Sequence, residues 1–166
     1  DHDTELAQLR AVRDAGGVPT WLGAHTVPPE FDSADPYVDF LLEEVLPEAA
    51  AIAEAADVFL ERGSFDSAQA RRYLLAGGRA GLALRLHGDQ FTESGAIELA
   101  IELGARSVDH LEATGPSGVA RLAADVGGQA LERARLCDPE SETRRALDRI
   151  LRVSPTFHGS EPGGVS

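Results

Sequence analysis

Four short apolar runs, each introduced by a helical segment, restrict this chain more than any other feature. Leu6, Leu9, Ala11 and Val12 recur at helical spacing over residues 3–15, with acids early and Arg late, before Gly16-Gly17 stops the pattern. Val18–Gly23 reads as a buried strand ending at Ala24-His25, and a loop with Pro28, Pro29 and Asp32 follows. Helix resumes at Pro36 and carries Tyr37, Phe40, Leu41, Val45 and Leu46, with a break expected at Pro47 and helix again to Ala55. Asp57–Glu61 is a second strand closed by Gly63, and Ser67–Gly78 a helix with Ala70, Leu74 and Leu75 on one face. A third strand at Gly81–Leu86 ends at His87, and a helix over Ser94–Leu103 is capped by Gly104. The fourth, very short strand at Ala105–Val108 ends at Asp109-His110, and a last helix starts near Pro116 and runs at least to Ala124. Alternating helix and strand argues for parallel βαβ units, an α/β fold with covering helices.

In parallel barrels and in open doubly wound sheets alike, chemistry gathers at the carboxyl ends of strands. Here three of the four ends are His25, His87 and His110. A lone His after a strand is more often a loop residue or a satisfied hydrogen-bonding group than a ligand. Three at equivalent positions on successive units converge at one rim, where neutral imidazole serves as a metal ligand or a proton shuttle. Asp109 and Asp89, with Gln90, could orient imidazoles or hold a polar substrate, and helix or loop capping explains both aspartates equally well. Glu61 would face the same rim, although an ion pair with Arg62 or Arg85 explains it more simply. Spacing alone therefore gives an α/β fold with a His-rich rim and no reaction.

Composition removes some classes of partner. The net charge of −13 over 166 residues should repel nucleic acid and anionic lipid. No run approaches the roughly 18–20 apolar residues a membrane span needs, no secretory signal opens the chain, and the single Cys137 cannot form an internal disulfide. A cytoplasmic protein with no nucleic acid or membrane partner is the expectation. The chain has no Lys, Asn or Met, and all fifteen basic residues are Arg, as a very GC-rich gene would give.

Four segments supply a reaction. Pro19–Phe31 is similar to PTFLGAHxxPxE(F/Y), Asp57–Phe65 to DVFCExGxF, Leu86–Gly95 to LHADxFxxxG with Gly88 for the usual Ala, and Gly104–Glu112 to GAxSADHLE. In this order and spacing, from about residue 5 to about residue 124, they resemble the imidazolonepropionases. That resemblance implies a (β/α)₈ TIM barrel of the metal-dependent amidohydrolase type with one Zn or Fe. It also implies hydrolytic ring opening of 4-imidazolone-5-propanoate to N-formimidoyl-L-glutamate in histidine breakdown. His87 matches the metal-ligand His of LHAD. His25 matches the substrate-binding His of GAH, and Gln90 falls where the family has a Glu or Gln touching the imidazolone ring. His110 matches the His of ADHLE, which assists proton transfer or polarises the carbonyl. In such a site the metal lowers the pKa of water while nearby side chains move protons.

A whole barrel needs about 200 residues or more. The four strands would then be the third to the sixth of eight, with the paired HxH ligands upstream and an Asp ligand downstream. Most metal ligands would lie outside the chain, leaving it inactive alone, and open sheet edges would favour association between copies. Residues 1–125 are thus expected to form a partial barrel. Residues 126–166 read as polar helix and then a Gly/Pro/Ser-rich disordered tail, as a shifted reading frame would give. Two other readings are a hydantoinase- or dihydroorotase-like cyclic amidohydrolase, against which the GAHTVPPE segment argues, and a non-catalytic α/β interaction module.

Overall fold

A computed structural model describes residues 2–125, so the expected tail over 126–166 lies outside the described residues. The chain divides into two compact units, Asp1–Gly115 and Pro116–Ser166. Of the second, residues 116–125 are helical. The first holds α1 (His2–Asp14), β1 (Thr20–Ala24), α2 (Ala34–Phe40), a π-helical turn (Leu41–Val45), α3 (Leu46–Ala50), β2 (Ala55–Leu60), α4 (Ser67–Arg79), β3 (Ala83–Gly88), α5 (Ala96–Leu103) and β4 (Ser107–His110). Among the described residues no helix is long and apolar enough to cross a membrane.

The four strands form one parallel sheet in the order β1-β2-β3-β4. A doubly wound sheet reverses its strand order at a switch point. This sheet never does, so right-handed crossovers keep winding in one sense, as a (β/α)₈ barrel requires. The expected α/β class with four parallel strands is borne out.

Alternation along each strand gives the sheet two unlike faces. Ala56, Val58, Leu60, Leu84, Leu86 and Val108 join the core beneath the helices, packed with Val38, Leu41, Tyr73 and Leu74. Alternate positions carry Asp57, Phe59, Arg85, His87, Ser107 and Asp109, and the register sets Asp57 beside Arg85 beside Ser107, and Phe59 beside His87 beside Asp109. One face is oil and the other is chemistry.

Strand limits differ from the sequence reading in a consequential way. β2 begins at Ala55 and not at Asp57, while β3 runs on through His87 to Gly88 and β4 through His110. Asp57 and His87 therefore stand within strands, Asp57 paired with Arg85 and His87 with both Phe59 and Asp109. Pro47 does not break its helix. It sits in the first turn of α3, and the preceding turn widens to π geometry, which accommodates a proline that cannot donate.

Two local devices fix the helices over the sheet. Asp66 caps α4 by accepting from the N–H groups of Ala68 and Gln69, while the Gln69 side chain accepts from Asp66 N. At Gly88 a Cβ would lie 2.4 Å from Ala96 Cβ and 3.1 Å from the Leu60 carbonyl oxygen. Gly88→Ala is therefore expected to force β3 and α5 apart and destabilise the chain by about 1–3 kcal/mol. The double change Gly88→Ala/Ala96→Gly should recover most of that loss in urea unfolding, since the severest contact, at 2.4 Å, is with Ala96 Cβ.

Candidate active site

His25, just after β1, and His87, near the end of β3, converge on the carboxylate of Asp57 within β2. Its Oδ1 lies 2.8 Å from His87 Nδ1 and 3.3 Å from His25 Nε2. Asp57 is only 2% exposed, and a carboxylate buried that deeply is costly unless its lone pairs are filled. The two imidazoles fill them and meet edge to face with centroids 4.9 Å apart.

Each ring reaches this point by a different route. His25 follows β1, in which two residues, Leu22 and Gly23, stand opposite the single Asp57 of β2 between the pairs Trp21–Ala56 and Ala24–Val58. Such a bulge re-aims the strand end. The Tyr37 hydroxyl donates to Gly23 O at 2.9 Å and the Tyr73 hydroxyl to Trp21 O at 3.2 Å, which fixes the bulged backbone. Burial pushes both phenols up, Tyr37 to about 12, with the charge of Glu5 adding to the effect. His87 needs no special device, since strand alternation alone turns it to the polar face. His110 should point away from His87, because its register partner is Gly88. Its φ of +80° breaks the alternation, and its ring lies 5.3 Å from that of His87. A non-glycine residue held there is strained, and such strain gathers at functional sites.

His25, His87 and His110 are thus brought together, each with a side chain about a third exposed or less, at 27%, 29% and 31%. A cavity of about 510 Å³ opens beside His25, lined also by Glu5, Leu22, Thr26, Phe31 and Tyr37. Burial raises the Glu5 carboxyl despite its hydrogen bond from Leu22 N.

Gln90 lies on the loop after β3, and this loop is organised by Glu61. Glu61 is 4% exposed and accepts from the backbone N–H groups of Gln90, Phe91 and Arg62 at 3.0, 2.9 and 2.8 Å. It also accepts from the Thr92 hydroxyl and, at 3.4 Å, from Thr92 N. Burial by itself would raise this carboxyl, yet the bonds from Phe91, Thr92 and Arg62 outweigh burial and lower it to about 2. The expected ion pair with Arg62 or Arg85 is not what holds it: Arg62 contributes its main chain. Asp89 resolves toward capping. Buried, at φ +52°, it accepts from Ser94 N, Ser94 Oγ, Ala96 N and Thr114 Oγ1, and these bonds lower its carboxyl against the opposing effect of burial. Asp109 is exposed.

Among the described residues, one group of three could offer ligand atoms to a metal: His25, Asp57 and His87, with those atoms within 4.8 Å of one another. Two imidazoles and a carboxylate suit zinc or iron. Arms of about 2.0–2.1 Å set ligand atoms about 3.3 Å apart in a tetrahedron, whereas 2.8 Å between His87 Nδ1 and Asp57 Oδ1 is a hydrogen-bond distance. Asp57 therefore fits as the partner that orients a ligand better than as a ligand itself, and the outer nitrogen of His87 stays available. The donor chemistry fits a metal.

No family model matches the chain. It is 62% identical over 169 residues to an imidazolonepropionase of Rubrobacter xylanophilus, an alignment covering 95% of this chain and 41% of the relative. The imidazolonepropionase of Chloroflexus aggregans is 47% identical over 142 residues, 75% of this chain and 33% of the relative. That of Bacteroides thetaiotaomicron is 39% identical over 169 residues, 93% of this chain and 40% of the relative. The first and third alignments leave out too few residues to stop at Val126, so both continue beyond it. The chain spans about a third to two fifths of the length of these curated relatives. Identity at this level over most of the chain, together with four motifs in order on a singly wound parallel sheet, makes the chain a member of the imidazolonepropionase family.

Proposed function

We propose that this chain carries part of an active site for the hydrolytic ring opening of 4-imidazolone-5-propanoate to N-formimidoyl-L-glutamate, a step in histidine breakdown. The observation that supports it best is the convergence of His25 and His87 on one buried carboxylate, with the His110 ring 5.3 Å from that of His87. In the reaction, water adds across the ring C(=O)–N bond. The carbonyl carbon gains the oxygen, that bond breaks, and the leaving ring nitrogen takes up a proton.

Each residue has a role it can perform where it stands. His87 would hold the metal, zinc or iron, through Nε2, since Nδ1 faces Asp57. When bound, the metal supplies Lewis acidity that activates water and polarises the amide. His110, its ring 5.3 Å from that of His87, would take the proton from the attacking water and return it to the leaving nitrogen. His25 and Gln90 would bind the imidazolone, one from the wall of the cavity and the other from the loop that Glu61 fixes. The substrate is a small molecule, and a cytoplasmic enzyme with no nucleic acid or membrane partner fits this reading. Association of copies into a homo-oligomer belongs to the same reading.

The test uses the chain extended at both ends to the length of its relatives, with metal content and loss of imidazolonepropanoate as readouts. His110→Ala should lower kcat on the order of 10²–10⁴-fold with metal content unchanged. His87→Ala should lower metal content itself. A protein that binds metal but leaves the substrate untouched would overturn the assignment.

A further inference from the structure

We infer that Asp57 is a positioning residue that sets the tautomers of both His25 and His87 through one shared oxygen. This deepens the proposed function and rests on His87 as its metal-binding residue. A carboxylate oxygen in this geometry has no hydrogen to offer, so both ring nitrogens that face it must donate. His87 is then the Nδ1–H tautomer, with its lone pair on Nε2 and directed away from Asp57. His25 is the Nε2–H tautomer, with its lone pair on Nδ1.

The arrangement is costly to build and so points to a use. Asp57 sits at the third residue of β2, 2% exposed, in a strand otherwise made of Ala, Val, Phe and Leu. A buried carboxylate inside an apolar strand stabilises nothing that Asn or an apolar side chain would not. What it does supply is a fixed orientation for two rings contributed by two neighbouring strands. His87 is the ring whose tautomer matters most. A neutral imidazole in water favours the proton on Nε2, the atom that would have to be free for a metal. Turning His87 to the other tautomer makes it a preformed donor, and the loss of such an outer partner typically weakens a metal site 10–100-fold. For His25 the same oxygen leaves Nδ1 as an acceptor for an N–H group of a bound ring.

The test is nitrogen-15 NMR of the histidine side chains in the full 166-residue chain, at a pH where the rings are neutral. Protonated and unprotonated ring nitrogens have well-separated shifts, so each tautomer is read directly. Wild type should show His87 protonated at Nδ1 and His25 at Nε2. Asp57→Asn, which keeps an accepting oxygen at the same place, should retain both patterns, and Asp57→Ala should move His87 to the Nε2–H form. His87 found protonated at Nε2 in the wild type overturns the inference even if the alanine variant fails to fold. Retention of the Nδ1–H form in a folded Asp57→Ala variant overturns it as well. Zinc titrated into the wild-type chain extended at both ends to the length of its relatives separates this inference from the reading beneath it. Zinc that perturbs His87 Nε2 supports both, whereas the expected tautomers with no zinc response leave Asp57 as an orienting residue and refute His87 as a ligand.

Discussion

Glu61→Ala should destabilise the chain by about 3–5 kcal/mol and release the loop after β3. Four backbone N–H groups and the Thr92 hydroxyl lose one acceptor together. Each buried donor left unmatched costs about 1–3 kcal/mol, and water entering the gap offsets part of the sum. Urea unfolding followed by circular dichroism measures the first effect, and amide exchange at Gln90, Phe91 and Thr92 the second. If those amides stay as protected as in the wild type, Glu61 is not what holds the loop. The same residue predicts an acid limb. Its carboxyl falls from 4.5 to about 2 on folding, so its contribution is complete above pH 4.5 and is lost as pH drops toward 2. Glu61→Gln should make the fall in stability across that window shallower by up to one proton, with little change in slope at neutral pH.

Trp21→Ala should cost about 3–5 kcal/mol, a large share of the 5–15 kcal/mol available to a domain. Trp21 is fully buried, and its ring lies 4.7 Å from that of Tyr73, whose hydroxyl donates to the Trp21 carbonyl. Removing the indole empties the space between β1 and α4 and loosens the residue that anchors the bulge. A lower urea midpoint should therefore be accompanied by broadening of the His25 side-chain signals. His87 lies two strands away and should keep its tautomer. Loss of order at both rings would mean that the site is not held strand by strand, as the register implies.

The parts of the fold that were legible in the sequence are those in which local pattern and burial agree. Apolar runs bounded by glycines gave four strands, and the helices between them required parallel pairing. His25, His87 and His110 were found because strand ends in such sheets carry chemistry. The limits of β2 were not legible. Read from Asp57, the strand placed its carboxylate at a boundary, where an aspartate is ordinary. The observed strand starts at Ala55, which puts Asp57 inside it and under cover. A charge within an otherwise apolar run was the available signal. Glu61 was seen but paired with the wrong partner, because nothing in a linear sequence brings residue 61 to the amides of residues 90–92.

The sequence by itself determined that helix and strand alternate, that the strands run parallel, and that three histidines fall near one rim. Those are consequences of periodicity and chain order, which a linear pattern carries. Only the tertiary structure decided that one buried oxygen is shared by His25 and His87, and that a left-handed residue turns His110 back toward them. It also decided that a second carboxylate, Glu61, holds the loop after β3. The physical reason is common to the two carboxylates. Lone pairs buried away from water must find donors, and the donors that satisfy them come from strands and loops some 30 residues apart along the chain.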